Sequence, residues 1–100
     1  VVEVGTSKVD FESFRAEKDG ESVEMTALEM KLLRFFLDNE GRMLTRQRIL
    51  DAVWGTDYFG TDRTVDNFVN RLRAKFENDP KAPTIFMTVR GGGYRFSRRG

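Results

Sequence analysis

From Lys8 to Thr26, apolar and polar positions alternate through Val9 and Phe11, then Phe14 and Ala16, then Val23 and Met25, with Asp19-Gly20 as a tight-turn signal. A period of two predicts three or four short antiparallel strands with one face buried. At Thr26 the period changes. Thr26 followed by Glu29 forms a T-x-x-E capping box, in which hydroxyl and carboxylate satisfy free backbone N–H groups at a helix start. Leu28, Leu32, Leu33, Phe35 and Phe36 then supply a wide apolar face at helical spacing, and Gly41 after Asn39-Glu40 is a left-handed stop. The stretch MLTRQRILDAVWG repeats the plan at smaller scale. Met43-Leu44 is extended, Thr45 is the N-cap, Ile49, Leu50 and Val53 point inward, and Gly55 terminates a shorter helix.

A third helix is predicted over residues 63–77. Val65, Phe68, Val69, Leu72 and Phe76 fall on one core-facing stripe, and at 100° per residue Arg63, Asn67, Asn70, Arg71 and Ala74 lie opposite. That opposite face carries no carboxylate, whereas a solvated helix face commonly mixes both signs in i, i+4 pairs. Two guanidinium forks, two amides and one small residue suit guanine and adenine edges. The bland alternative is an ordinary wet surface. The last segment, TIFMTVRGGGYRFSRR, is β-branched and aromatic on both sides of three glycines. No Lys follows the glycines and no helix remains after them, so neither a Walker loop nor a dinucleotide loop fits. Tyr94 and Phe96 alternate as in a strand, with Arg95 between them, so the glycines are read as the tip of a β-hairpin with Arg90 at its base.

Composition narrows the function classes. One hundred residues with 39% apolar and 12% aromatic content suffice for one core, so a single domain over 1–100 is expected. With no cysteine and no histidine, disulfides, thiolate or imidazole metal sites, a Cys nucleophile and a His general base are all excluded, and no cofactor or metal is expected. No apolar run approaches a membrane span and no signal peptide opens the chain, so a cytoplasmic protein with no membrane partner is expected. Starting at Val1, the chain reads as an excised domain. The net charge of +1 conceals an asymmetry: residues 1–60 carry 8 basic against 12 acidic side chains, residues 61–100 carry 9 against 4. The positive end points to a polyanionic partner.

Strands, helix, short helix, basic amphipathic helix and terminal hairpin make an α+β winged helix-turn-helix, with three helices between an N-terminal antiparallel sheet and a C-terminal hairpin wing. In TALEMKLLRFFLDNEGRMLTRQRILDAVWG, RTVDNFVNRLRAKFE and TVRGGGYRF, in this order, the chain resembles the DNA-binding effector domain of OmpR/PhoB-type response regulators over essentially its whole length. The resemblance implies a bacterial, non-enzymatic transcription regulator. Its phosphorylatable receiver domain would lie upstream and be served by a sensor histidine kinase. Its target would be double-stranded DNA bearing direct repeats, bound as head-to-tail tandems.

Carried over by position, Asp66, Asn67, Asn70 and Arg71 would face the major groove. Thr88 and Arg90 would read bases from the wing, Arg90 in the minor groove. Trp54, Arg63, Thr64, Arg73 and Tyr94 would touch phosphates, and the loop Gly55, Thr56, Asp57, Tyr58, Phe59 and Gly60 would face RNA polymerase. The sequence departs from the family where Phe68 replaces a usual His, Asn70 a common basic residue, and Gly92 a usual Val or Thr. These changes bear on affinity rather than fold. Residue by residue, other readings stay open. Trp54 and Tyr94 could simply pack, and Tyr58 and Phe59 could pin their loop. Two other functions also compete: a winged-helix protein–protein interaction module whose basic face meets an acidic partner, and a small hydrolase using Asp57 and Asp62.

Overall fold

A computed structural model describes residues 1–56 and 60–100; Asp57, Tyr58 and Phe59 lie outside the described residues. Four strands open the chain: β1 (Val2–Val4), β2 (Ser7–Asp10), β3 (Arg15–Lys18) and β4 (Glu21–Val23), paired antiparallel in sequence order. β1 precedes the stretch whose alternation predicted strands, and that stretch holds the other three. Ala16 pairs with Val23 and Lys18 with Glu21, which leaves Asp19-Gly20 as a two-residue turn, both at positive φ (52° and 84°). This is the type I′ geometry that Asp-Gly favours. Val4, Val9 and Ala16 form the buried face.

Phe14 departs from the expected alternation. Asp10 accepts hydrogen bonds from the Glu12 and Ser13 backbone N–H groups (3.0 and 3.4 Å), reversing the chain one residue after β2. Phe14 then takes a left-handed conformation (φ 57°) and stays 54% exposed. A side-chain turn has overridden the period of two.

Helix α1 (Ala27–Asp38) begins with the predicted capping box: Glu29 N–H donates to Thr26 Oγ1 (3.2 Å) and Thr26 N–H to Glu29 Oε1 (2.8 Å). Met30, Leu32, Leu33 and Phe36 are its buried apolar residues; Leu28 faces outward and Phe35 is half-buried. Glu29 is itself buried, its carboxylate held by Lys75 of the third helix at 2.6 Å. β5 (Met43–Thr45) leads directly into α2 (Arg46–Val53), where Thr45 Oγ1 accepts from Arg48 N–H at 3.1 Å. Gly55, at φ 101°, ends α2 with its N–H on the Leu50 and Asp51 carbonyls.

α3 (Asp62–Phe76) buries Val65, Val69, Leu72 and Phe76. β6 (Phe86–Val89) and β7 (Gly93–Phe96) complete a second sheet in the order β5-β7-β6. Phe36, Phe86 and Phe96 pack ring on ring with centroids 5.3–5.8 Å apart, which fastens α1 to the hairpin. Such contacts add about 0.5–1.5 kcal/mol each beyond the area they bury. Among the described residues, no helix is long and apolar enough to cross a membrane.

Candidate nucleic-acid interface

The face of α3 opposite its buried stripe is open. Arg63, Asn67, Asn70, Arg71 and Ala74 are all exposed, as the projection predicted. Phe68 is the exception on the apolar side, being only partly buried. At 100° per residue it sits about 60° off the centre of the stripe, on the flank that continues to Arg71. Its ring meets Trp54 edge-on, with centroids 5.0 Å apart at 81°. The Arg71 guanidinium stands 4.6 Å from the centre of the same ring.

The other flank, carrying Asp66 and Arg73, turns toward the hairpin. Asp66 Oδ1 accepts from Arg46 Nε at 2.8 Å and from the Tyr94 hydroxyl in a short hydrogen bond. Burial pushes the Asp66 carboxyl upward, but the hydrogen bonds from Tyr94 and Arg46 outweigh it and hold the group below the usual carboxylate range. The phenol shifts the opposite way. Burial, and then the neighbouring Asp66 carboxylate, push Tyr94 up to about 12. Two guanidiniums approach its ring, Arg46 at 5.3 Å and Arg73 at 5.6 Å from the centroid. Arg73 donates through Nε and Nη2 to the Phe86 carbonyl (3.0 and 2.7 Å) and through Nη2 to Thr88 Oγ1 (2.9 Å). These bonds span α2, α3, β6 and β7, and fix the hairpin beside the helix.

Three residues carried over to DNA roles have partners within the domain. Asp66, expected on base edges, has the described oxygen engaged internally. Tyr94 and Arg73, expected on phosphates, are respectively buried and bonded to strand β6. Thr88 is exposed, but its hydroxyl accepts from Arg73. Thr64 and Trp54 are half-buried, while Arg63 and Arg90 are exposed. Of the polymerase-facing loop, Gly55, Thr56 and Gly60 are described, while Asp57, Tyr58 and Phe59 lie outside the described residues; one of the two hydrolase carboxylates falls there too.

At the hairpin tip Val89 pairs with Gly93, so Arg90, Gly91 and Gly92 form the loop. Gly91 and Gly92 have φ of 107° and 115°, as a thin tip requires. Gly93 serves another purpose, since a Cβ there would collide with the Leu44 backbone of β5.

Two residues central to this arrangement escaped sequence reasoning. Arg46 bears no signal beyond its place at the start of α2. Glu77 offered one: a carboxylate at a helix C-terminus opposes the helix dipole, so something else must hold it. Its buried carboxylate accepts from the N–H groups of Thr84, Ile85 and Phe86 at 2.8–3.1 Å, pinning the chain where it enters β6.

Helix–helix–helix–hairpin geometry with an exposed basic helix face defines a winged helix-turn-helix of the transcription-regulator class. Residues 20–96 match the model of the family described as transcriptional regulatory protein, C terminal, and the chain belongs to that family, as an OmpR/PhoB-type effector domain. The sensory transduction protein RegX3 of Mycolicibacterium smegmatis is 42% identical over 95 residues, covering 95% of this chain and 42% of RegX3. Response regulator DrrB, a Thermotoga maritima OmpR/PhoB homologue, superposes with a TM-score of 0.82 at 30% identity, covering 93% of this chain and 42% of DrrB. The DNA-binding domain of Klebsiella pneumoniae RstA, crystallised in complex with the RstA box, gives 0.81 at 28% identity, covering 97% of this chain and 96% of that one. The chain thus spans about two-fifths of the length of RegX3 and of DrrB.

Proposed function

We propose that this domain binds double-stranded DNA sequence-specifically as the effector part of a two-component response regulator, with α3 in the major groove and the hairpin as a wing in the minor groove. The observation that carries this reading is the exposed, carboxylate-free face of α3, formed by Arg63, Asn67, Asn70, Arg71 and Ala74. DNA binding by RstA, whose fold this chain shares, supports it. Arg71, Asn67 and Asn70 read base edges, Arg71 by the bidentate fork that suits guanine. Arg63 and Thr64, with the half-buried Trp54, approach phosphates, and Arg90 enters the minor groove from the wing tip. Asp66, Arg73, Tyr94 and Thr88 act one step back, setting the angle between helix and wing.

In the full-length protein a receiver domain, phosphorylated through a sensor histidine kinase in the bacterial cytoplasm, would govern pairing of two such domains on direct repeats. The loop at 55–60 would face RNA polymerase. Selection of duplexes from a random library tests the reading: two repeats about 10 to 11 base pairs apart are expected, one per helical turn. On the selected site, Arg71→Ala should cost about 1–3 kcal/mol and relax one base position, whereas Arg63→Ala should weaken all sequences alike. Equal losses for Arg71→Ala on selected and random DNA would overturn it.

A further inference from the structure

We infer that Phe68 is a positioning residue for base recognition: its ring, held against Trp54, is a shelf that fixes the Arg71 guanidinium in the pose from which it reads the major groove. This rests on the assignment of Arg71 to base reading made above. Phe68 and Arg71 are i, i+3 neighbours on one flank of α3. The 4.6 Å between guanidinium and ring centre lies well inside the roughly 6 Å reach of a cation–π contact. The ring itself is restrained, because Trp54 meets it edge-on at 5.0 Å. Trp54 is in turn fixed at the end of α2 by its backbone N–H on the Leu50 carbonyl at 2.9 Å. A continuous chain of contacts therefore runs from the end of α2, through two aromatic rings, to the cation.

The chemistry of the contact leaves the cation free to work. An ion pair or internal hydrogen bond would occupy N–H donors, and among the described residues Arg71 takes part in none of the ion pairs. The face of a phenyl ring attracts the charge through its quadrupole and accepts no N–H bond of ordinary strength. The planar fork keeps its donors for a base edge. An exposed arginine is rotamer-rich, and ordering it before docking moves that entropy loss out of the binding step. An aliphatic side chain at 68 would fill the same edge of the core without holding the cation.

The test compares the domain with its Phe68→Leu, Phe68→Tyr and Arg71→Ala variants on the selected duplex, on duplexes altered at the base pair that Arg71→Ala relaxes, and on random DNA. Phe68→Leu should lower discrimination at that pair by about 2- to 10-fold, the size of an exposed to partly desolvated cation–π contact. Its salt slope should stay at the wild-type value, its melting temperature should fall by about 2–12 °C with the lost Trp54 contact, and Phe68→Tyr should retain full discrimination. In the free domain, the upfield ring-current displacement of the Arg71 side-chain proton resonances should be present in wild type and Phe68→Tyr and absent in Phe68→Leu. Full discrimination in Phe68→Leu, alongside its loss in Arg71→Ala, would overturn the inference while leaving DNA reading intact. Equal weakening of Phe68→Leu on every duplex would reduce Phe68 to a packing residue and overturn it as well. An Arg71→Ala variant with unchanged base preference would remove the assignment on which the shelf depends.

Discussion

Replacing Gly93 with alanine separates two reasons for a glycine-rich wing. Gly93 is not among the residues at positive φ, so backbone freedom does not explain it. Its missing side chain does. A Cβ at this position would stand 3.0 Å from the Leu44 carbonyl carbon, closer still to its oxygen, and 2.8 Å from Met43 Sδ. The sulfur ends a flexible side chain and can swing away, but the carbonyl moves only with β5. Restoring ordinary contact needs roughly 1 Å of extra separation between β5 and β7. The ladder joins Leu44 to Tyr94 and Thr45 to Gly93, and that displacement stretches its hydrogen bonds from about 3 Å to about 4 Å, beyond bonding range. Two bonds at about 1 kcal/mol net, with overpacking strain of similar size, give about 3 kcal/mol. For a domain of this length the melting temperature should fall by about 12–24 °C. Circular dichroism during heating and urea titration measures it. Gly91→Ala is the comparison: its φ of 107° strains an alanine, but among the described residues nothing lies within 4 Å, so a smaller loss is expected. A Gly93→Ala protein melting within about 4 °C of wild type would refute the close-approach explanation.

Two further substitutions probe the buried polar groups. An ordinary tyrosine titrates near pH 10, and Tyr94 is pushed up to about 12, so the unfolded chain loses this proton first. The Tyr94 contribution to stability is thus complete below pH 10 and lost as pH rises toward 12, at up to about 1.4 kcal/mol per pH unit. Urea unfolding across that interval should show a steeper alkaline decline for wild type than for Tyr94→Phe; parallel curves would contradict the burial of the phenol and its Asp66 hydrogen bond. Glu77→Ala strips the acceptor from three backbone N–H groups, two of them on the buried residues Ile85 and Phe86, and should cost about 3 kcal/mol or more in chemical denaturation. A loss below about 1 kcal/mol would mean those donors find other partners.

The helices were legible because their signals are local. Thr26 and Glu29 sit three residues apart and Thr45 lies one residue before its helix, so each cap can be read without knowing the fold. The α3 stripe was legible for the same reason, apart from Phe68, whose place at the edge of the stripe leaves its depth to Trp54. What stayed hidden depends on groups distant in sequence. Nothing near Asp66 in sequence announces that Tyr94, 28 positions away, reaches its carboxylate. The burial of Tyr94 is likewise set by the sheet and not by its sequence neighbours. Spacing alone could not separate the glycines that need positive φ from the one that needs a bare Cα, because that distinction lies in β5. Phe14 fell to competition between two local rules, the alternation of a strand and the turn made by the Asp10 side chain.

The bonds from Asp66 and Arg73 to the hairpin have a mechanical consequence. Helix and wing behave as the two jaws of a set calliper, whose opening is fixed before any duplex arrives. On the proposed docking, such a tool measures the width of the backbone ridge between neighbouring grooves, and a duplex whose ridge differs must deform to fit. Stiffness of the DNA at positions no side chain touches would then enter the choice of operator.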